Sequence, residues 1–342
     1  MLKHRRKLVA GAILLAGFHV AVLLAGFFAP YGYATQNREM PYMPPSGLHL
    51  VDAQGKVHLR PFVYGWRDDG SGALKLDSTQ SYPVHFFVQG WPYNVGGLVH
   101  SRMHLFGVAE PGRFCLLGTD GFGRDQFSRF LYGGQVSLLA GLIAAALSVS
   151  LGVLVGALAG FCGGWIDETL MRCGELFLAL PWLYLLFAVR AAMPLQITQW
   201  QVFLLLVSVL GLIGWARPAR LVRGIVLSAK ERNFVVAARG FGASNGYLIR
   251  RHVMPQASGV ALTQVTLLIP QYVLAEVTLT FLGLGVSEPM PSWGSLLSAL
   301  QQYYVLSSYW WMFLPAALLI PLFLAYYLAA DALQEHWKPV SL

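Results

Sequence analysis

Residues able to do chemistry are few in this chain, and they are scattered. The stretch GTDGFGRD, 118–125, has the glycine content of a loop that frees backbone N–H groups to cradle a phosphate, but it lacks the Walker lysine. It reads as a structural turn in which Asp120 or Asp125 pairs with Arg124 ahead of an apolar run. Glu175 and Glu276 fall within apolar runs, where an ionisable group costs about 2.5 kcal/mol or more and faces a protein interior or a water-filled cavity. Each therefore reads either as part of a proton or solute path or as a carboxyl satisfied by neighbouring helices or the membrane interface. His49, His58, His85, His100 and His104 lie in one polar stretch, and only His100 and His104 have helical ligand spacing, in a segment without a helical pattern. Cys115, Cys162 and Cys173 form no CxxC pair, and no HExxH, GxSxG or GxxxxGK[ST] motif occurs. The residue types thus indicate no catalytic, cofactor-binding or metal site.

The elements that hold these residues are apolar. Over 342 residues, 56% are hydrophobic and 12% charged, and the mean hydropathy is +0.55. Such values exceed those of an ordinary soluble domain. A soluble α/β enzyme with buried strands would show short apolar runs, whereas these reach the roughly 20 residues needed to cross a bilayer. The formal net charge of +8 does not indicate nucleic-acid binding, because the Lys and Arg residues cluster where membrane topology places them.

Six spans are expected. The first, Leu8–Ala29, follows KHRRK and is too long for a cleavable signal peptide, so it reads as an anchor with a cytoplasmic N-terminus. Residues 30–134 form a polar extracytoplasmic insert, in which KVHLRPFVYGW and YPVHFFVQG read as short strands. The second span is Val136–Phe161, where Gly152, Gly156 and Gly160 place a small-residue seam on one helix face. GGWIDETLMR reads as a polar turn, followed by spans at Cys173–Met193, broken by Pro181, and Trp200–Trp215. The last two are Ala257–Leu282 and Trp310–Leu328. Residues 135–342 then form a five-helix core whose cytoplasmic loop, 217–256, carries Arg217, Arg220, Arg223, Lys230, Arg232, Arg239, Arg250 and Arg251. Basic residues in a short loop place it, and the C-terminus, inside.

Within that loop Phe234, Ala238 and Phe241 recur at i, i+4 and i+7, giving a short helix one apolar face that Gly242 ends. A second helix over Ser244–Val253 is expected to stop before Pro255. A projecting helix with an apolar face and small residues at Ala237 and Ala238 suits a groove on another protein. The alternative is a helix lying on the membrane surface, for which two aromatics are a thin anchor.

The stretch AARGFGASNGYLIRRHVMP resembles the cytoplasmic coupling loop of binding-protein-dependent ABC importer permeases. Ala237, Ala238, Gly242 and Pro255 match its spacing, while Val236 stands where the pattern has Glu and Met254 where it has Leu. LLGTDGFGRDQFSRFLYGGQVSLLAG, with Gly118, Thr119, Asp120, Gly123, Arg124 and Asp125, resembles the C-type subunit of the dipeptide and oligopeptide branch. GGWIDETLMR, EVTLTFLGLGV with PSWG, and DALQEHWKP are similar to its corresponding segments. The resemblance runs from about Leu116 to Pro339 and leaves 41–104 uncovered. It implies an all-α polytopic fold of the type I importer permease kind, with a β-rich insert between the first two helices. It also implies a bacterial cytoplasmic membrane location, a second homologous permease, two cytoplasmic ATPases that hold ATP and Mg, and an extracytoplasmic substrate-binding protein. The solute would be a di- or oligopeptide, nickel or another small molecule. Closure of the ATPases on ATP would move the loop Glu231–Pro255, with Phe234, Ala237, Ala238, Phe241, Gly242 and Pro255 at the contact, and so rock the spans.

Two other classes make different demands. An ion-coupled secondary transporter would hold a complete pathway in one chain, with internal repeats and several membrane-depth charges; no such repeat is evident. An intramembrane enzyme would need a catalytic pair at membrane depth, and its motifs are absent.

Overall fold

A computed structural model describes residues 2–68, 70, 74–95, 97, 99–192 and 197–336. Met193, the expected end of the third span, and Trp337–Pro339 of the last matching segment lie outside the described residues. Two compact units result, one built on Leu138–Leu279 with segments of the N- and C-terminal helices, the other on Ala16–Ser137 and Thr280–Pro321.

Helix α1 (Leu2–Leu23), of which Ala16–Leu23 belongs to the second unit, ends at a bend on Leu24, and a single turn, α2 (Ala25–Phe28), follows. The apolar part of α1, Val9–Leu23, is shorter than a span, because the bend and then Pro30 divide the expected Leu8–Ala29 run. Strands β1 (His49–Val51), β2 (Val57–Asp68) and β3 (Leu74–Pro83) form one antiparallel sheet, and β4 (His85–Val95) and β5 (Val99–Gly107) form another. YPVHFFVQG is thus divided at Val84 between two sheets. Val84 donates its N–H to the Pro61 carbonyl at 2.8 Å, and Val63, Val84, Phe106 and Phe114 form a small buried core.

Helix α3 (Gln126–Cys162) begins ten residues before the expected span, because Asp125 caps it: Oδ2 accepts from the Ser128 N–H at 2.7 Å and hydroxyl at 2.6 Å. In the first unit α3 continues past the glycine seam. A Cβ on Gly152 would meet Pro218 and the Trp215 carbonyl, one on Gly156 would fall on the Ala219 carbonyl, and one on Gly160 would lie 2.9 Å from the Arg223 carbonyl. The partner in this close approach is α7 (Ala216–Lys230).

Three sequence expectations need correction in this unit. GGWIDETLMR is not a turn but most of α4 (Gly164–Ala179), because Arg223 clamps Asp167 with bonds of 2.5 Å from both Nε and Nη2 and removes the need for water around the charge. The helix pair α4 and α5 (Trp182–Ala191) bends by 80° at Pro181. The stretch ARPARLVRGIVLSAK is helical, since Pro218 falls in the first turn of α7, where its missing N–H is not needed. With α6 (Gln199–Ile213) it makes one apolar helix over Gln199–Lys230, so Arg217, Arg220 and Arg223 ride on a helix and not in a loop.

The third correction concerns Pro255. After α8 (Asn233–Gly240) and α9 (Asn245–Leu248), a π-helical turn over Ile249–Val253 leads straight into α10 (Met254–Phe281). A π turn shifts the hydrogen-bond ladder by one residue, and Pro255, lacking a donor, sits where the ladder changes step. The remaining elements are α11 (Trp293–Leu297), α12 (Tyr303–Ser308) and α13 (Leu314–His336). Among the described residues four helices are long and apolar enough to cross a membrane: Gln126–Cys162, Gln199–Lys230, Asn245–Phe281 and Trp310–Gln334. The bent pair α4–α5 makes five if it is one span. The chain is thus a mostly helical multi-pass membrane protein.

Candidate functional site

Helix α8 projects from the end of α7, and its construction follows from a few residues. Its C-terminus closes in a Schellman motif: the Ala243 N–H donates to the Ala238 carbonyl at 3.1 Å and the Gly242 N–H to that of Arg239 at 3.0 Å. Gly242 takes φ +85°, which a side chain resists. Ser244 then caps α9 by accepting from the Tyr247 N–H at 3.3 Å. Val235, Leu248 and Val253 are fully buried and anchor this segment. The Lys230 ammonium donates to the Gly160 carbonyl at 3.0 Å, and the Arg239 guanidinium lies 5.8 Å from the Phe161 ring centroid, so both tie the segment to the end of α3.

Opposite the anchor the apolar residues are bare. Phe241 is 92% exposed, Val236 56% and Phe234 46%. Ala237, Gly242 and Pro255 are exposed as well, and Ala238 is half-buried. Phe241 stands clear, Phe234 is about half exposed with its ring centroid 5.8 Å from that of His252, Val236 joins them, and Ala238 does not complete a single stripe. Sequence reasoning missed Val235, whose signal was its place among five consecutive apolar residues, Phe234–Ala238, of which one had to turn inward.

The Gly118–Asp125 turn builds an ion cluster. Asp120 Oδ1 accepts from the N–H groups of Phe122 at 2.9 Å and Arg124 at 3.0 Å, and Oδ2 accepts from Arg124 Nε at 2.8 Å. Arg124 Nη1 reaches Glu288 Oε2 at 2.9 Å, and Arg129 Nη2 reaches Glu288 Oε1 at 2.5 Å. Thr119 Oγ donates to the Met40 carbonyl at 2.7 Å and accepts from the Met43 N–H, while Gly118 and Gly123 take φ +75° and +68°. Burial pushes the Glu288 carboxyl up, but the charges of Arg129 and Arg124 outweigh it and hold the group below the usual carboxylate range. Burial pushes Asp125 up to about 6 against the opposing Ser128 hydrogen bonds. Neither Arg129 nor Glu288 was legible as a site residue, although a lone acid in the neutral loop before PSWG was a signal. Trp293 of PSWG is fully buried, donating Nε1–H to the Phe130 carbonyl at 3.0 Å.

The first unit holds a cavity of about 460 Å³ at the α4–α5 bend and the α6–α7 junction. Its wall is apolar apart from Arg217, Gln271 and Tyr272, and Tyr272 shares a 2.7 Å hydroxyl contact with Ser148. Glu175 and Glu276 are not part of its lining. Glu175 is half-exposed and lies 3.2 Å from Arg220 and 3.3 Å from Arg172, whereas Glu276 is fully buried in α10. His100 and His104 sit on β5, and the His104 ring nitrogens lie 2.7 and 2.9 Å from the Ala29 and Trp91 carbonyls.

Residues 152–339, more than half of the chain, match the family described as binding-protein-dependent transport system inner membrane component. The chain belongs to this family. It is 35% identical over 223 residues to the dipeptide transport system permease protein DppC of Bacillus subtilis (strain 168), covering 65% of this chain and 68% of that one. It is 36% identical over 230 residues to the oligopeptide transport system permease protein OppC of Escherichia coli (strain K12), covering 67% and 73%. An inner membrane component of this family is a permease subunit of an ABC importer, and the matched span contains α8 and its anchors on the end of α3, α7, α9 and the π turn, whereas the strands of 49–107 lie outside it.

Proposed function

We propose that this permease subunit moves di- or oligopeptides, or similar small solutes, through the bacterial cytoplasmic membrane, and that α8 is the helix by which ATPase closure drives it. The observation that carries the reading is the bare apolar set Phe234, Val236 and Phe241 on a short helix held from beneath by Val235. An exposed apolar patch on a rigid projecting helix is the form of a helix-in-groove contact. Ala237, Ala238, Gly242 and Pro255 complete the docking segment between the end of α7 and the start of α10. The peptide assignment draws on the names of the two relatives.

In this reading residues 1–29 hold a cytoplasmic N-terminus and the first of six crossings, 30–134 an extracytoplasmic insert, and 135–342 a core with a cytoplasmic C-terminus. The pathway forms with a second homologous permease, a substrate-binding protein delivers solute from outside, and ATP and Mg stay on two partner ATPases. The 460 Å³ cavity, with Arg217, Gln271 and Tyr272 in an apolar wall, supports a solute-facing role for the bent α4–α5 and the α6–α7 junction. Glu276 and Glu175 serve as structural carboxylates, and Gly118, Thr119, Asp120, Gly123, Arg124 and Asp125 fix the outer end of α3.

The test is purification of the tagged chain in mild detergent from its native membrane, beside Phe241→Asp. Co-elution of two ATPases and a second permease, with only the ATPases lost from the variant, supports the reading. A chain that elutes alone while still moving solute sinks it and makes an ion-driven transporter the working description.

A further inference from the structure

The hairpin β4–β5 carries aromatic residues that its own sheet does not cover. Phe87 is 64% exposed, Phe86 60% and Trp91 57%. Phe87 takes φ +56°, a region that bulky residues avoid, and the successive aromatics Phe86 and Phe87 are both exposed on a strand that buries little of either face. A sheet facing only water gains nothing from such a row.

The position of the hairpin is fixed by contacts with the end of the first helix. The His104 ring bridges the Ala29 and Trp91 carbonyls, the Tyr93 ring fills the space that a Cβ on Gly26 would need, and the Phe27 and Phe87 ring centroids are 6.4 Å apart. The same segment, Ala25, Phe28 and Ala29, packs on Phe127, Leu131 and Tyr132 in the first two turns of α3. Because α3 is long and apolar enough to cross a membrane and its apolar run begins at about Val136, the hairpin, held against residues 127–132, stands just outside the level where that helix leaves the hydrocarbon. Aromatic side chains concentrate at that level because the ring is apolar while its surroundings are half wet.

We propose that the β4–β5 hairpin rests on the outer surface of the lipid bilayer, with Phe86, Phe87 and Trp91 seated among the headgroups. Charge agrees with this occupant. Neither strand contains Asp or Glu, whereas Arg102 is exposed on β5, so the hairpin itself carries no negative charge to oppose lipid phosphates and one cation that favours them. The inference rests on the proposed outer placement of residues 30–134 and goes beyond it by naming lipid, and not a protein partner, as the surface that covers these aromatics.

The experiment uses the full chain with Cys162 and Cys173 replaced by Ser, buried Cys115 retained, and a nitroxide label on Trp91→Cys or, separately, Phe86→Cys. In phosphatidylethanolamine and phosphatidylglycerol vesicles, the label's accessibility to oxygen and to a water-soluble nickel chelate is read by electron paramagnetic resonance. Leu59→Cys, on a side chain 102% exposed, is the water reference, and Leu139→Cys on α3 the lipid reference. The expected oxygen-to-chelate ratio at 86 and 91 is several-fold above that at 59 and below that at 139. A ratio equal to that at 59 overturns the inference, and so does shielding from both reagents, which indicates a protein cover. Ile13→Cys on α1 separates the two readings. Lipid at 13 with water at 91 removes the hairpin contact alone, and water at 13 with lipid at 91 removes the first crossing alone.

Discussion

Arg129, 2% exposed, and Glu288, 159 residues later, meet at 2.5 Å between Nη2 and Oε1. This one pair joins the start of α3 to the loop before α11. A buried guanidinium without its carboxylate is costly, whereas the pair itself adds little beyond a well-packed apolar substitute. Glu288→Gln should therefore destabilise the chain by about 1–3 kcal/mol, below the full range for a buried pair because the Glu288 side chain is 46% exposed and Asp120 remains 3.7 Å from Arg129. Thermal unfolding in detergent, followed by tryptophan fluorescence, reads this. Adding Arg129→Met to Glu288→Gln should recover part of the loss, and a double variant worse than the sum of the two singles would refute the pairing argument.

Asp125 and Glu288 predict opposite responses to acid. Asp125 titrates near 6 in the folded chain, above the usual carboxylate value, so between about pH 4 and 6 the native state holds a proton that the unfolded state has released. Stability from this group is thus present at low pH and falls as pH rises through that window. Glu288 is held below its usual value, so its contribution is present at neutral pH and is lost only as pH falls below the ordinary carboxylate range. Of these two groups Asp125 acts between pH 7 and 5, and its contribution raises the melting midpoint on acidification. Asp125→Asn keeps the α3 cap while removing the titration, so its midpoint should lose that rise. An unchanged pH slope in Asp125→Asn would refute the assignment.

How much of this was legible in the sequence varies by the range of the interaction involved. Local signals read well: Gly242 marked the end of α8, Pro181 marked the α4–α5 break, and the four-residue spacing of Gly152, Gly156 and Gly160 marked a close helix approach. Partners distant in sequence did not. The charge on Asp167 argued for a turn because its partner Arg223, 56 residues on, is invisible in a local window. Pro255 argued for a stop because a π turn absorbs the missing donor in a way that periodicity cannot reveal. Val235 had the same hydropathy as exposed Val236, and only the packing under α8 distinguishes them.

The seam gives a packing prediction. A side chain on Gly156 falls on the Ala219 carbonyl, which is helix backbone and cannot rotate away. Gly156→Val should cost about 3 kcal/mol or more, and Gly156→Ala about 1–3 kcal/mol, through separation of α3 from α7. Gly224, also on α7, has nothing within 4 Å of an added methyl group, so Gly224→Ala should be neutral or stabilising by up to about 1 kcal/mol. Yield of folded chain and melting midpoint after purification measure all three. Equal behaviour of Gly156→Ala and Gly224→Ala would refute the close approach.

Gly242 tests the helix end against the docking surface. Its φ of +85° closes the Schellman turn that sets where exposed Phe241 points, and nothing lies within 4 Å of an added Cβ, so the effect of substitution is conformational and not steric. Gly242→Ala should raise the energy of this turn by about 1–2 kcal/mol, and Gly242→Asn by less because Asn tolerates the left-handed region. Since α8 is mostly exposed, global unfolding should hardly change. Instead, the docking-competent population should fall, weakening ATPase association by up to about thirtyfold in Gly242→Ala. Gly242→Val should be worse and Gly242→Asn nearest the parent. Titrating the purified ATPase onto the reconstituted chain gives these affinities directly. An order of Asn, Ala and Val that followed side-chain size alone, with Asn weaker than Ala, would show that contact at residue 242, and not the turn it makes, governs docking.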